Sequence, residues 1–378
     1  MNTAQHPQNH LYTIPFSTLK PLYEQHAEEY DEAALRVLHS GWYILGKELD
    51  AFEKEFAAYV GAPHCIGLNS GLDALVLALR ALGIGKGDEV VVQANTYIAT
   101  VLAITENGAN PVFVDPDEFH GIDPFAVEKA LSLRTKAIMV VHLYGQPCDM
   151  DALCEISRRT GVPIVEDCAQ SHGSTWNGKM TGTFGRIACF SFYPTKNLGA
   201  FGDAGAAVTD DPDLADRLRM LRNYGSKIKY QHEIEGVNSR LDEIQAALLR
   251  VRLKNLDEIL EERRSIAEQY LNGIRNPHIR LPRVRPEGLH TWHQFVVECD
   301  SRDALQEHLK EQGIQTQIHY PIPPHLSEAY RHLGFAKGSF PKTEQLAESV
   351  LSLPLYNGMV RGDVEQACNA LNVFTVNI

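Results

Sequence analysis

Lys196 lies in a glycine-rich turn, SFYPTKNLGAFGDAGA (191–206), directly after an apolar run that predicts a strand. A lysine in such a turn has three chemical uses: a solvated loop charge, a ligand for phosphate, or a nucleophile held against a cofactor. To act as a nucleophile, its amine must lose a proton near neutral pH, which partial burial near another cation favours. The glycines Gly199, Gly202 and Gly205 allow the backbone to turn tightly and to approach a ligand.

A carboxylate, Asp167, ends another apolar run, PIVED (163–167), and Gln170 and His172 follow it. An aspartate in this place often only caps the next helix. In parallel sheets, however, ligands bind beyond the carboxyl ends of the strands. An ionised carboxylate that faces a pyridine nitrogen there keeps the nitrogen protonated, so that the ring can withdraw electrons. Paired with a lysine at a second strand end, Asp167 therefore has a chemical use besides capping.

A third strand end carries hydroxyl and glycine residues that suit an anion. In IGLNSGLDALVLALRALG (66–83), Ser70, Gly71 and Asp73 are typical of a capping box with Ser70 as the N-cap. A helix start with free N–H groups binds anions, although the same string also occurs in ordinary helix caps. Ser191 is a second hydroxyl for a phosphate, or a structural one. Tyr97 follows the next predicted strand, where its ring could stack on a flat ligand.

Short apolar runs alternate with helical stretches from about 67 to 210, and these elements would position the side chains above. Strands that are apolar throughout, separated by helices, predict a mostly parallel sheet covered on both faces. No helix is predicted between the last two strands, so we expect them to join through the lysine turn. The predicted strands are 89–93, 111–115, 137–145, 163–167, 187–193 and 205–210.

The C-terminal third has a different pattern. One long helix is predicted from Asp242 to Ile274, followed by alternating strands and helices, with a strand expected in IQTQIHYP (314–321). We therefore expect two domains in this α/β protein. Residues 1–255 would form the N-terminal segment and the large domain, and 256–378 the linking helix and a smaller α+β domain.

Composition excludes several classes of function. The formal net charge of −13 argues against nucleic acid or an anionic membrane as the main partner. No apolar run is long enough to span a bilayer, and the first residues lack the basic and apolar segments of a secretory signal. The seven scattered cysteines indicate reduced thiols and a cytoplasmic location. Neither a metal motif such as HExxH nor a dinucleotide fingerprint GxGxxG occurs, so we predict no metal and no nicotinamide cofactor.

Five strings, in this order, resemble the sugar aminotransferases of the DegT/DnrJ/EryC1/StrS family, and the resemblance runs from about Ile14 into the C-terminal unit. It implies a fold-type I enzyme that binds pyridoxal 5′-phosphate and forms a homodimer with shared active sites. The strings are SGWYILGKELDAFEKEFAAY, GLNSGLDALVLALRALGIGKGDEVVV, VEDCAQSHG, SFYPTKNLGAFGDAGA and NSRLDEIQAALLRVRL.

The resemblance also implies a role for each matching residue. Lys196 resembles the lysine that forms a Schiff base with the cofactor and later moves protons, and Asp167 resembles the partner of the pyridine nitrogen. Gln170 matches the contact to the ring hydroxyl, and Tyr97 the aromatic that stacks on the ring. The implied phosphate cradle consists of Ser70, Gly71 and Ser191, together with Asn238 of the neighbouring subunit and, beside it, Arg240.

Within the family, the strings GLNSGLDAL, ANTYIAT, LRNYGSKIKYQHE and IHYPIPPHLSEAY most resemble enzymes that aminate the C-3′ ketone of dTDP-linked 3-keto-6-deoxyhexoses with glutamate as donor. The basic loop with Arg222 would meet the nucleotide diphosphate, unless it is simply solvated. Two alternatives stay open: a C-4′ aminotransferase of the perosamine-synthase type, and a regulator that binds the cofactor without turnover. The expected substrate-pocket residues are Tyr193, Lys227, Lys229, Tyr230, His319 and Tyr320.

Overall fold

The computed structural model describes residues 13–375. Most of the N-terminal stretch on which the expected lack of a secretory signal rests lies outside this range, as do the outer ends of both predicted domains. No helix within residues 13–375 has the length and apolar character needed to cross a bilayer.

The strands of the described range are short, and most precede a helix. They are β1 (His64–Leu68), β2 (Glu89–Gln93), β3 (Asn110–Val114), β4 (Thr135–Val141), β5 (Ile164–Asp167), β6 (Thr175–Trp176), β7 (Lys179–Met180), β8 (Ile187–Ser191), β9 (Gly205–Thr209), β10 (Ser226–Ile228), β11 (Gln231–His232), β12 (Gly288–Leu289), β13 (Phe295–Glu298) and β14 (Val350–Leu353).

The α-helices of the described range surround these strands. They are α1 (Lys20–Glu24), α2 (Ala27–Ser40), α3 (Lys47–Val60), α4 (Gly71–Ala81), α5 (Ile98–Glu106), α6 (Pro124–Ala130), α7 (Met150–Thr160), α8 (Pro212–Leu221), α9 (Glu243–Lys254), α10 (Leu256–Gly273), α11 (Arg302–Glu311), α12 (Pro341–Ser349) and α13 (Arg361–Val373).

A seven-stranded sheet with the strand order β1-β9-β8-β5-β4-β2-β3 forms the centre of the large unit. From β8 to β3 each neighbouring pair is parallel, whereas β9 runs antiparallel to both β8 and β1. Strand β2 is buried along its whole length, as expected for a strand covered on both faces. The mostly parallel α/β sheet predicted from the sequence is confirmed. The lysine turn joins β8 directly to β9, with Ser191 opposite Gly205.

Two predictions for the C-terminal third are wrong. The single helix predicted from 242 to 274 is two helices, because Asn255 has φ −105° and ψ 8°, outside the helical range. The Asn255 side chain donates to the Val251 carbonyl at 3.0 Å and so compensates the break in the backbone ladder. The strand predicted at 314–321 is also absent from the described elements. There, Ile314 and Gln317 each make only an isolated bridge, to Ile14 and Ser352 respectively.

A separate hydrophobic core stabilises the C-terminal unit. Helices α10, α11 and α13 pack against the antiparallel pair β13–β14 around fully buried residues such as Tyr270 and Phe295. Ile14 joins the same core from the start of the described chain. The predicted division at 255/256 falls at the Asn255 break, and it stays a prediction.

Helix α3 takes its N-terminal cap from a distant part of the chain. The buried Glu243 side chain accepts hydrogen bonds from the backbone N–H groups of Gly46 at 2.8 Å, Glu48 at 2.9 Å and Leu49 at 3.0 Å. A carboxylate in this place satisfies N–H groups that have no partner within the helix and complements the helix dipole. This contact fixes α3 to the start of α9.

Candidate active site

The turn that carries Lys196 is held in place through its backbone. The Lys196 N–H donates to the Tyr193 carbonyl at 2.8 Å. The buried guanidinium of Arg252, on α9, donates to the carbonyls of Lys196 at 3.2 Å and Gly199 at 3.1 Å. Because these contacts fix the main chain on both sides, the lysine side chain starts from a defined position at the carboxyl end of β8.

The Lys196 amine is made less basic by its surroundings. Although part of the residue remains accessible, its amine is enclosed by protein, and this burial lowers the pKa of Lys196 to about 8, while the nearby Asp167 carboxylate opposes the shift. An amine with this pKa is neutral in roughly a tenth of the molecules at neutral pH, far more often than a free lysine. Lys196 therefore has the properties of a nucleophile and of a proton carrier.

Asp167, at the end of β5, is a buried carboxylate with two donors. Oδ2 accepts from the Thr100 hydroxyl at 2.8 Å and Oδ1 accepts from the Ala169 N–H at 3.1 Å. Burial raises the pKa of Asp167, and the two hydrogen bonds and the Lys196 charge act in the opposite direction. Each carboxylate oxygen still has a lone pair for a further donor. The carboxylate can thus accept a hydrogen bond from a protonated ring nitrogen, and this role stays a prediction.

Gln170 and the aromatic residues form a second connected group. The Gln170 Oε1 accepts from the Tyr144 N–H at 2.7 Å, and its Nε2 donates to the Tyr320 hydroxyl at 3.1 Å. The Tyr320 ring lies 5.3 Å from that of Tyr97, which is 53% exposed and so presents a free face. The Tyr144 hydroxyl donates to the His319 carbonyl. The structure therefore places Tyr97, Gln170, His319 and Tyr320 at one site.

The residues predicted for the phosphate cradle lie where α4 begins. Ser70 is the N-cap, and its hydroxyl accepts from the Asp73 N–H at 3.1 Å. The predicted capping box is incomplete: the Asp73 carboxylate accepts a hydrogen bond from the Ser239 hydroxyl at 2.6 Å and none from the Ser70 N–H. A Cβ added to Gly71 would lie 2.5 Å from the Ser191 Cβ, so the helix start and Ser191 are in direct contact.

Of the other predicted residues, Lys227, Lys229 and Tyr230 lie in the exposed β10–β11 hairpin, and Asn238 and Arg240 follow it. Tyr193 lies in the lysine turn itself. No recorded hydrogen bond or ion pair among residues 13–375 joins their side chains to Lys196 or Asp167. Arg240 donates to Asn223 at 3.0 Å, Lys227 pairs with Asp216 at 3.5 Å, and Lys229 lies 5.1 Å from the Tyr230 ring centre. Tyr193 and Asn238 are exposed. Within one chain, the structure thus does not bring Asn238, Arg240, Lys227, Lys229 and Tyr230 to the lysine.

Arg222 corrects one expectation for the basic loop. Its side chain is buried and pairs with Glu53 at 2.5 Å, and it also donates to the Gly67 carbonyl at 2.9 Å. A guanidinium held in this way braces β1 against the segment after α8. It is not available for a nucleotide diphosphate.

Three further residues at the site were not predicted. Thr100 donates to Asp167, Arg252 fixes the lysine turn, and the Nε2 atom of the buried His293 lies 3.4 Å from Lys196 Nζ. Thr100 lies one helical turn after Tyr97, and this spacing is visible in the sequence. His293 and Arg252 come from segments far from the lysine in sequence, and no local pattern indicates their positions.

One buried group beside the site has the composition of a metal site. The ligand atoms of His142, Glu166 and Cys168 lie within 4.8 Å of one another. The Glu166 carboxylate, however, accepts from His142 Nε2 at 3.0 Å and from the N–H groups of Gly182 and Gly185 at 2.8 and 2.6 Å. Because its lone pairs are used by these donors, Glu166 braces the loop before β8.

Pyridoxal 5′-phosphate, which the resemblance implies, fits the groups that the site presents. A weakly basic amine suits its aldehyde, and a buried carboxylate with a free lone pair suits its ring nitrogen. At the α4 start, Ser70 accepts only the Asp73 N–H, and the first amides of a helix have no intrahelical acceptor. These amides and the Ser191 hydroxyl form a donor set for a phosphate.

Comparison with known proteins agrees with this geometry. Residues 24–372 match the model of the DegT/DnrJ/EryC1/StrS aminotransferase family. A dTDP-3-amino-3,4,6-trideoxy-alpha-D-glucose transaminase of Streptomyces venezuelae is 54% identical over 344 residues, which cover 90% of this chain and 91% of the relative. A dTDP-3-amino-3,6-dideoxy-alpha-D-galactopyranose transaminase of Aneurinibacillus thermoaerophilus is 52% identical over 360 residues, covering 95% of this chain and 99% of the relative.

The fold is likewise similar to that of a solved relative. The crystal structure of S. venezuelae DesV in complex with a ketimine intermediate superposes with a TM-score of 0.93 at 52% sequence identity. The superposition covers 95% of this chain and 97% of DesV.

Proposed function

Because the chain belongs to the DegT/DnrJ/EryC1/StrS aminotransferase family, whose cofactor is pyridoxal 5′-phosphate, we propose that it transfers an amino group from glutamate to C-3′ of a dTDP-linked 3-keto-6-deoxyhexose. The observation that carries the proposal is the enclosed, weakly basic amine of Lys196 next to the buried Asp167 carboxylate. The names of the two relatives, which both place the amino group at position 3, support the choice of carbon.

The proposed mechanism assigns the proton transfers to this chain's own residues. When bound, pyridoxal phosphate supplies an electron-withdrawing ring and an aldehyde that takes up the donor's amino group. Lys196 Nζ removes the proton from the α-carbon of glutamate and later returns a proton to the sugar carbon that receives nitrogen. Asp167 would hold a proton on the ring nitrogen. Gln170 would bind the ring hydroxyl, Tyr97 would cover the ring, and Ser70, Gly71 and Ser191 would hold the phosphate.

The substrate pocket is proposed on the aromatic side of the site. Tyr320 and His319 are connected to Gln170 and Tyr144 there, and Tyr193 is exposed beside the lysine turn. Lys227, Lys229 and Tyr230 lie in the exposed hairpin, away from the lysine of their own chain. We propose that they bind the nucleotide of the substrate held by the adjoining subunit.

A paired turnover assay tests the substrate. The enzyme with glutamate and added cofactor is given a dTDP-3-keto-6-deoxyhexose in one reaction and the 4-keto isomer in the other, and 2-oxoglutarate release is followed in both. We expect release with the 3-keto sugar and a new amine at C-3′ by NMR. An amine at C-4′ would support the perosamine-synthase type instead. Glutamate that fails to change the spectrum of the bound cofactor would indicate a binding protein without turnover.

We also propose a homodimer in which each subunit completes the site of the other. Large apolar side chains are exposed around the end of α2, with Leu38 52%, Trp42 63% and Tyr43 52% exposed. This segment adjoins the one that carries Asn238, because Ile44 bridges Asp242. Exposed apolar groups clustered in this way typically mark an interface. A second copy seated here would bring Asn238 and Arg240 of one subunit toward the phosphate bound by the other.

Subunit complementation tests the shared site. Lys196→Ala and Asn238→Glu homodimers should both be nearly inactive, the second because its carboxylate would repel the phosphate. Co-expressed, half of the dimers are mixed and each mixed dimer has one intact site, so activity should return to about a quarter of the parent value. As a control, the double variant Lys196→Ala/Asn238→Glu is co-expressed with the parent chain. If the site is shared, each of the two sites in a mixed dimer then contains one substituted residue. If the co-expressed single variants stay inactive, the two residues serve one subunit's site.

The cytoplasm is the proposed compartment. All seven cysteines are unpaired in the structure, and six of them are buried, which suits a reducing environment. Detection of the native protein in the membrane or secreted fraction of its source cells would contradict this location.

A further inference from the structure

The closest polar neighbour recorded for the Lys196 amine is a histidine to which neither the sequence nor the family resemblance assigns a role. His293 Nε2 lies 3.4 Å from Lys196 Nζ, and the imidazole is buried at 5% exposure. Its other nitrogen, Nδ1, is buried and has no hydrogen-bond partner within the described part of the chain. A buried imidazole that leaves one nitrogen unpaired while aiming the other at a lysine is costly as a purely structural feature.

The backbone around His293 is fixed in a conformation that serves this contact. Trp292 has φ +50°, in the left-handed region that a bulky residue rarely adopts. The buried guanidinium of Arg263 donates to the carbonyls of Trp292 at 2.9 Å and His293 at 2.8 Å. The Asn197 side chain, adjacent to Lys196, donates to the Thr291 carbonyl at 3.0 Å. Strain of this kind persists at functional sites because the surroundings over-determine it.

The charges around Lys196 determine which partner donates. Burial and the neighbouring positive charges keep the pKa of His293 well below its usual range, so the imidazole is neutral and one ring nitrogen is an acceptor. His172 and His319 are held neutral in the same way, with pKa values lowered to about 3 and 4. The titratable and charged groups that face this pair from the surrounding elements are Asp167, His172, His319, Arg252 and Arg263.

We propose that His293 is a positioning residue for Lys196: its Nε2 accepts a hydrogen bond from Nζ and thereby fixes the orientation of the amine that carries the proton. The inference rests on the proposed function, in which Lys196 is the proton carrier. With one N–H held by His293, the amine cannot rotate freely. Its other N–H groups, or its lone pair once it is neutral, therefore point in a fixed direction. An acceptor also stabilises the charged amine, and its removal should make Lys196 less basic.

The test measures the basicity of Lys196 itself, in the full-length protein freed of cofactor. Competitive acetylation with acetic anhydride at several pH values, read by mass spectrometry on the peptide with Lys196, gives the pKa of that amine. The variants are His293→Leu, which removes the acceptor, His293→Asn, which is too short to reach, and His293→Gln, whose Oε1 can replace Nε2. His278→Leu, at an exposed position, is the control.

We expect His293→Leu and His293→Asn to lower the pKa of Lys196 by about one unit, since a hydrogen bond to a charged group is lost, and His293→Gln to restore most of the shift. Turnover should fall in the same two variants and recover in His293→Gln. An unchanged pKa in His293→Asn, or an equal shift in His293→Gln, would overturn the proposal. The labelling does not depend on turnover: the proposed function fails if the parent enzyme releases no 2-oxoglutarate with the 3-keto sugar, whereas these pKa shifts concern only the contact between His293 and Lys196.

Discussion

Replacing Lys196 by alanine is expected to reduce turnover by about 10⁴-fold or more, because general acid–base catalysis alone contributes about 10²–10⁴ and the same amine is also the nucleophile that binds the cofactor. No other lysine amine is recorded near Asp167 in residues 13–375. The measurement is 2-oxoglutarate release at saturating glutamate, sugar and cofactor. Partial rescue by added methylamine would indicate that the loss is chemical, since a small amine can occupy the space left by the side chain.

The control for this variant is Lys136→Ala, at the exposed position of β4. It should leave turnover and thermal stability unchanged. The parent protein offers a second check, because the pKa of Lys196 is about 8. Its rate of cofactor capture should increase as the pH is raised through this value, while the amine loses its proton, and should then level off. Retention of repeated turnover by Lys196→Ala would remove this residue from the mechanism.

Gly205→Ala is expected to disrupt the phosphate cradle and to reduce cofactor affinity by about a hundredfold, together with a loss of about 1–3 kcal/mol in the free energy of unfolding from overpacking. A Cβ at this position would collide with the main-chain carbon and oxygen of Ser70 and would lie 2.7 Å from the Gly71 nitrogen. Since main-chain atoms cannot rotate away, the start of α4 must shift and its contact with Ser191 must loosen. Absorbance titration with pyridoxal phosphate measures the affinity.

The matched control is Gly85→Ala. Its added Cβ would meet only the Asn107 carbonyl, at an ordinary contact distance of 3.5 Å, so affinity and stability should stay near the parent values. Equal affinities for Gly205→Ala and the parent would show that the α4 start does not hold the phosphate.

The parts of the fold that the sequence predicted are those with strong local patterns. Strands with a continuous apolar centre, such as β2, predict burial on both faces, and the end of β5 at Asp167 follows from where its apolar run stops. The strand predicted at 187–193 ends two residues earlier, at Ser191. The break at Asn255 was missed because asparagine inside an amphipathic pattern costs little by propensity, and only the side-chain bond to Val251 shows why the helix stops there.

The same distinction between local patterns and long-range contacts applies to the residues of the site. Lys196, Asp167, Gln170 and Ser70 lie within motifs, so their types and order were enough to propose them as site residues. Arg222 was misassigned because its positive charge is plain in the sequence, whereas its buried partner Glu53 lies 169 positions away. His293 was missed for the corresponding reason: it contacts Lys196 across 97 positions, and only the folded backbone brings the two nitrogens together.

The cap on helix α3 has a consequence for the order in which the protein matures. Glu243 follows the N–H groups it satisfies by 194 to 197 positions, so these amides have no carboxylate when α3 leaves the ribosome. A 14-residue helix is marginal on its own in water. All seven strands of the central sheet are therefore synthesised before α3 can dock with its final partner. Helix α3 is thus one of the first helices to be made, but its N-terminal cap is completed only after Glu243, at the start of α9, has been synthesised.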